Sequence, residues 1–451
     1  MPKSISPRHG GAKKISRIYL DYASSALSAS SNPGAIHELG VKEKNKLENA
    51  RTTVAGILNT RNNEIIFTSG ATESNNLAIL GLINAKRQQV KNLVSVSHIV
   101  TTNIEHASVL EVCKYLEKTK QAEVTYVPVE SNGIVDSKKI GQALRENTVL
   151  VSVMYANNEI GAIQPIREIA KEIRHWNKNR KRKVFEWSGW GRDPGNRGPE
   201  KTLPFPVFFH TDATQAVNYL SISIPQLGVD MMSFNSAKIY GPKGVGVLYV
   251  KKNTPISPIM FGGNQEFGLR PGTENVALAT ELARALLITE KIKNIEVKRL
   301  TKLRDYFINK IVRNSAIAEN LANSNIILNG DLKNRLPNNI NITIPNIPSD
   351  LLVIELSARG IMASAKSACK SGDGKASHVI KAIRPEAKPA RNAFSIPASN
   401  ALRSDAGWAD AGGETDGSLR FSLGRYTTKS DIDYTIKSLS EILLKLKKWY
   451  T

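Results

Sequence analysis

Between residues 37 and 290, short apolar runs alternate with stretches of helical period. This alternation constrains the fold more than any other feature of the 451-residue chain. HELGVKEKNKLENARTTVAGIL opens the series, with Leu47, Ala50, Val54 and Ile57 on one face at helical spacing. EIIFTS (64–69) is a strand run, and GATESNNLAILGLINAK after it is a helix. IVTTNIEH (99–106), EVTYVPV (123–129), VLVSVMY (149–155), VFFHTDA (207–213), VDMMSFN (229–235) and GVGVLYV (244–250) are further strands. PIREIAKEIRHW is a helix with Pro at its start. Apolar strands alternating with helices predict an α/β domain around a mostly parallel, buried sheet.

ENVALATELARALLITEKIKN (274–294) then begins a helical stretch extending to residue 313. Beyond it, strands NINITI (339–344) and SLRFSL (418–423) mix with helices near 349–359, 376–383 and 429–447, which predicts a smaller α+β domain. The chain divides into an N-terminal segment (1–30) packing with the small domain, a large domain (31–293) and a small domain (294–451). Residues 177–206 and 384–417 read as surface-loop insertions, longer than ordinary connections and rich in Gly and Pro.

The apolar fraction of 41% and charged fraction of 23% exclude wholesale disorder. No stretch approaches the ~20 apolar residues of a membrane helix, and the N-terminus lacks an apolar signal core. A cytoplasmic, soluble protein is expected. The net charge of +22 is spread along the chain, with one dense run, NKNRKRK (177–183). It carries no zinc-finger or other metal-ligand spacing and no RNA-binding-sheet signature, so a solvated basic face is favoured over direct nucleic-acid binding. Two cysteines cannot build a disulfide framework. Cys113 lies in a helical pattern as a core residue. Cys369, in SAKSACKSGDG, is either an incidental surface thiol or a reactive one beside cations.

Five local patterns can carry chemistry. A strand turns through Gly70 into a helix start with Ala71, Thr72 and Ser74, which suits an anion or an ordinary cap. Asp212 and Gln215 follow a strand in FFHTDATQA, at the edge where α/β sheets bind ligands. Lys238 stands between a buried strand and a Gly-Pro-Lys-Gly turn, where desolvation would favour the neutral amine; Lys243 competes with it. His106 ends a strand and can stack on a planar ring, move protons or simply cap. Asn157, Asn158 and Glu159 can orient a substrate or form an Asx turn. A phosphate-bearing heterocycle with a protonatable ring nitrogen and an aldehyde would use these groups together, and pyridoxal 5'-phosphate is such a molecule.

Eleven blocks in order resemble the cysteine desulfurases, pyridoxal-phosphate enzymes of fold type I in the class V aminotransferase group. They include YLDYA (19–23), GATESNN (70–76), EHASV (105–109), NNEIGAIQPI (157–166), HTDATQA (210–216), KIYGPKGVG (238–246), GGNQEFGLRPGTEN (262–275), SACKSG (367–372) and SLRFSLGRYTT (418–428). The resemblance implies a Schiff-base role for Lys238 and places the carboxylate of Asp212 on the pyridine nitrogen. It implies a stacking, proton-moving imidazole in His106 and a phosphate cradle at Ala71 and Thr72. Asn157, Gln215 and Asn235 would contact cofactor or substrate, and Arg420 would grip the substrate carboxylate. Thr273 would reach the phosphate of a neighbouring subunit, implying a homodimer. Cys369 would be the nucleophile.

The implied reaction takes sulfur from L-cysteine, giving L-alanine and a persulfide on Cys369. The persulfide would supply an acceptor protein, an iron–sulfur scaffold or a tRNA-thiolation protein. Three departures from the family pattern stand out. Ala237 replaces the usual His before the Schiff-base lysine, SSALSASSNPG lacks the usual Thr-Thr-Pro, and residues 384–417 lengthen the connection to Arg420. A selenocysteine lyase or other class V enzyme, and a non-catalytic scaffold or RNA-binding protein on the same fold, are the alternatives.

Overall fold

The computed structural model describes Asp21 and residues 31–89, 96–187, 205–312, 326–345, 347–365, 377–384 and 418–450. Helix α1 (Glu38–Leu58) forms because Leu47, Ala50, Val54, Ala55 and Leu58 recur on one buried face. His37 caps its start through Nδ1, and Asn59, in the left-handed region at φ 56°, ends it.

Seven strands form the main sheet: β1 (Ile65–Thr68), β2 (Ser97–Thr102), β3 (Ala122–Val127), β4 (Thr148–Ser152), β5 (Phe208–Asp212), β6 (Met231–Asn235) and β7 (Gly246–Val250). Their order is β1-β7-β6-β5-β4-β2-β3. β3, β2, β4, β5 and β6 pair in parallel; β7 runs antiparallel to both β6 and β1. All strands but β7 therefore end at one edge. The sheet is buried on both faces: Val100, Val151, Met232 and Val247 enter one core cluster, while their neighbours Ile99, Leu150, Met231 and Leu248 enter another. This is why the strands read as unbroken apolar runs.

Helices α2 (Ala71–Gln89), α3 (Ala107–Lys118), α4 (Ser137–Gln142), α5 (Ile166–Trp187) and α6 (Ile224–Leu227) connect the strands. Two expectations are corrected here. The strand read to His106 ends at Thr102, and His106 instead caps α3. The segment 177–206, read as a loop, begins as helix: α5 continues through the basic run to Trp187. Lys and Arg are good helix formers, and Asn177 and Arg180 bind backbone of the returning chain at Val207 and Phe205. The remaining residues of that insertion, 188–204, lie outside the described residues, as do Cys369 and 385–417.

Helix α7 (Val276–Val312) runs 37 residues. Ala279, Leu282 and Leu286 pack into the main core; Leu300, Phe307 and Ile311 pack into a second one. That second core lies against an antiparallel sheet in the order β10-β9-β8, made of β8 (Ile327–Leu328), β9 (Asn339–Thr343) and β10 (Ser418–Ser422). Helices α8 (Ser349–Ser357) and α10 (Lys429–Tyr450) cover it. The short helix α9 (His378–Ile383) instead buries Val379, Ile380 and Ile383 in the main core. No described helix is long and apolar enough to cross a membrane.

Candidate active site

A cavity of about 550 Å³ opens where the strand ends of the main sheet face β10. That volume suits a small cofactor together with its substrate. Ala71 and Thr72 line it from the first turn of α2, where helix-start amides and the dipole favour an anion. The turn before them is possible because β7 begins with glycine: a Cβ on Gly246 would stand 2.6 Å from the Gly70 backbone. Ser74 does not join this cradle. It is buried, with its hydroxyl 2.8 Å from Thr68 Oγ1.

Asp212, the last residue of β5, lines the cavity. Its Oδ1 accepts from Thr214 N at 2.9 Å and its Oδ2 from Asn75 Nδ2 at 2.8 Å. His106 and Gln215 also line the cavity. Lys238 ends a short 3-10 turn (Ser236–Lys238) that Asn235 caps, Oδ1 accepting from Lys238 N at 3.2 Å. Asn235, Ala237 and Lys238 all face the cavity, and Lys238 is exposed rather than desolvated as its sequence position suggested. The turn lifts it out of the sheet into the open space. Lys243 is exposed and does not line the cavity.

Arg420 lines the opposite wall from β10 and donates from Nη1 to Asn158 O at 3.1 Å. Burial pulls its pKa down, while Glu159 acts to raise it. Of the paired asparagines, Asn158 lines the cavity and Asn157 does not. Asn157 is fully buried: Nδ2 donates to Ile104 O at 2.9 Å, and Oδ1 accepts from Glu159 N at 2.8 Å and Ile160 N at 3.0 Å. Asn157 thus commits its side chain to the Asx turn, while its neighbour Asn158 reaches the cavity. Thr273 is exposed on the segment before α7, away from this chain's cavity.

Cys369 lies outside the described residues, but Ser364, before it in the chain, meets the cavity wall. Ser364 lines the cavity and pairs with the Arg420 backbone, with N···O distances of 2.7 and 3.2 Å. Ser377 donates to Glu159 Oε2 at 2.5 Å, and His378 Nε2 lies 3.0 Å from Glu105 O.

Several site groups gave no sequence signal. Glu105 is fully buried, accepts from Thr102 Oγ1 at 2.7 Å and from Met154 N, and burial pushes its carboxyl up to about 8. Asn75 and Ser108 join Asp212 to His106. Among the described residues, three that line the cavity carry buried polar atoms without a partner: Arg420 Nε, Asn338 Oδ1 and Thr214 Oγ1. Such orphans cost ~1–3 kcal/mol each unless a ligand or water meets them. A helix start for a phosphate, a carboxylate for a ring nitrogen, an imidazole beside the ring and an open amine together fit pyridoxal phosphate.

The aminotransferase class-V family model matches residues 11–179 and 206–435. The chain is 37% identical to a cysteine desulfurase IscS of Dictyoglomus turgidum, over 92% of this chain and 88% of that protein. It is 36% identical to the cysteine desulfurase IscS of Methanosarcina thermophila, over 92% and 86% of the two chains. Among solved structures, a NifS-like protein superimposes with a TM-score of 0.70 at 31% identity, covering 91% of each chain. DndA from Streptomyces lividans does so with 0.60 at 29%, covering 87% and 91%. Fold, cavity and sequence therefore agree: the chain belongs to the class V aminotransferase family and, within it, to the pyridoxal-phosphate-dependent cysteine desulfurases.

Proposed function

We propose that the cavity removes sulfur from L-cysteine, releases L-alanine and leaves the sulfur as a persulfide on Cys369. The convergence of Lys238, Asp212, His106 and Arg420 with the start of α2 on one cavity carries this reading. Pyridoxal phosphate, when bound, supplies an electron sink for the charge left by removal of an amino acid's α-proton. Lys238 would provide the amine that holds it covalently, and the Asp212 carboxylate would accept a hydrogen bond from its protonated ring nitrogen. Ala71, Thr72, Gln215 and Asn235 would hold its polar groups. Arg420, its guanidinium held by the Asn158 carbonyl, orients the substrate carboxylate. His106 would lie against the ring and exchange protons through its nitrogen that has no protein partner among the described residues. The Cys369 thiolate attacks the substrate sulfur: an S–S bond forms, the carbon–sulfur bond breaks, and a proton completes the methyl group of L-alanine.

The working unit in this reading is a cytoplasmic homodimer in which Thr273 of one subunit serves the partner's phosphate site. Residues 31–293 form the cofactor domain and 294–451 the smaller domain; residues 1–30, expected to pack with the latter, lie outside the described residues apart from Asp21. An iron–sulfur scaffold or a tRNA-thiolation protein takes the sulfur. The test is an assay of alanine and sulfide from L-cysteine, repeated with selenocysteine, on the parent and Cys369→Ser. The variant should keep the yellow cofactor and release no alanine above background. Persulfide detected by mass spectrometry on Cys113 alone would overturn the assignment.

A further inference from the structure

The proton on His106 can be located by hydrogen-bond bookkeeping. His106 Nδ1 accepts from the Ser108 backbone N–H at 3.1 Å. A backbone amide only donates, so Nδ1 carries no hydrogen and the neutral ring holds its single proton on Nε2. Nε2 has no protein partner among the described residues, and the ring lines the cavity. The Ser108 hydroxyl lies 2.8 Å from the same Nδ1.

Because Nδ1 carries no hydrogen, the hydroxyl must donate to it, and Asn75 supports that direction from the other side. Its Nδ2 lies 2.8 Å from Asp212 Oδ2 and 2.8 Å from Ser108 Oγ. A carboxylate oxygen only accepts, so the amide must present its NH2 group to Asp212; the flipped amide would set two oxygens against each other. One amide hydrogen then goes to Asp212 and the other to Ser108 Oγ. With its oxygen accepting from Asn75, Ser108 is free to send its own hydrogen to His106 Nδ1. The arrangement is buried: Asn75 is 0% and Ser108, at the cavity wall, 8% exposed. Asn75 Oδ1 is left buried without a partner among the described residues, so the amide keeps this orientation at the expense of its own acceptor.

We infer that Asn75 and Ser108 are positioning residues that hold the proton of neutral His106 on Nε2, facing the cavity, and tie that choice to the Asp212 carboxylate. His106 then meets the bound ligand as a hydrogen-bond donor. A ring that received a proton at Nδ1 would lose the bond from the Ser108 amide and reverse the one from the hydroxyl, which would then have to accept from both His106 and Asn75. The inference deepens the role given to His106 above and rests on it for its chemical meaning, though not for its geometry.

The test is nitrogen NMR of the full chain carrying imidazole-15N histidine, with His106→Asn assigning the signal among seven histidines. It is run at about pH 8.5, some two units above the ordinary imidazole pKa of about 6.5. In the parent, Nδ1 should resonate as a non-protonated, hydrogen-bonded nitrogen and Nε2 as a protonated one. In Ser108→Ala and in Asn75→Ala, Nδ1 should move toward the position of a nitrogen with a weaker donor, and Ser108→Thr should restore it. Turnover of L-cysteine should fall about tenfold in Ser108→Ala and recover in Ser108→Thr, with Lys238 still trapped by borohydride. A protonated Nδ1 in the parent, or an Nδ1 signal unmoved by both alanine variants, overturns the inference. A moved signal with unchanged turnover supports the clamp and overturns instead the proton-transfer role of His106.

Discussion

Lys238 and Lys243 sit on the same turn, yet only Lys238 lines the cavity. Borohydride should therefore fix the cofactor to the peptide bearing Lys238; Lys238→Ala should lose the label and Lys243→Ala keep it. Ala237, its neighbour, faces the same space and offers no side-chain donor to it. Asn235 Oδ1 binds Lys238 N, and the Ser236 hydroxyl is buried, 2.1 Å from where a Gly241 Cβ would stand. An imidazole at position 237 would add a donor beside the phosphate, so Ala237→His should slow cofactor loss on dialysis; a hydrogen bond to a charged group contributes ~1.5–3 kcal/mol. Glu105 makes a different prediction, about pH. Burial raises its carboxyl from 4.5 to about 8. The folded protein thus holds a proton that the unfolded chain has released, and stability falls as pH rises through that window. Glu105→Gln should flatten the fall, read as melting temperature against pH on the cofactor-free protein.

The elements read most easily in the sequence are those packed on both sides. β2, β4 and β7 give runs such as IVTT and VLVS because neighbouring residues enter opposite cores. The end of α5 was not legible: the basic run has no apolar stripe, and what holds it is backbone at Phe205 and Val207, returning from 25 to 30 residues away. β8, two residues long, is too short to show a period. At the site, Asp212 and Lys238 were legible because strand ends of an α/β sheet face the ligand. Asn75 was not, since its partner Asp212 lies 137 residues on. Asn157 and Asn158 differ only in which one the turn consumes. Tyr240 was likewise hidden. It holds φ 64°, unusual for a bulky residue, two positions after Lys238. Its hydroxyl accepts from Arg425 N at 2.9 Å, and the Arg425 guanidinium stacks 4.0 Å from its ring. This contact joins the lysine turn to the chain leaving β10, fixing the span between Lys238 and Arg420. Arg425→Ala should raise the half-saturating L-cysteine concentration by up to about tenfold, the scale of one cation–π contact. Its cofactor should remain on Lys238.

Across the whole molecule, one buried ion pair gathers three separate parts of the chain. Arg51 on α1 donates from Nη1 and Nη2 to both oxygens of Glu266, at 2.8 and 2.7 Å, and from Nη1 to Ile65 O at 2.6 Å. Glu266 also accepts from Phe67 N on β1 at 2.8 Å. The guanidinium lies 5.0 Å from the Phe67 ring and 5.1 Å from the Phe267 ring. Glu266 and Phe267 both hold left-handed backbone, at φ 46° and 60°. Two such residues in succession cost roughly 1–3 kcal/mol each and persist only where surroundings over-determine them. Here the fork-to-fork bond from Arg51 does so, and it fixes the segment that leads to Thr273 and α7. Phe261 and Phe267, 88% and 55% exposed, stand on the same segment and would suit the subunit contact of the homodimer proposed above. Arg51→Met keeps much of the packing but leaves the Glu266 carboxylate buried without its cation, so chemical denaturation should show a loss of about 3–5 kcal/mol. Pairing it with Glu266→Gln removes the stranded charge and should recover a substantial part of that loss, a coupling read directly from the double-mutant cycle. If the segment also carries Thr273 to a neighbouring site, the double variant should fold and bind cofactor yet dissociate into monomers at higher protein concentration than the parent, as sedimentation velocity would show. A double variant with parental dimer affinity would confine the pair to holding its own chain together.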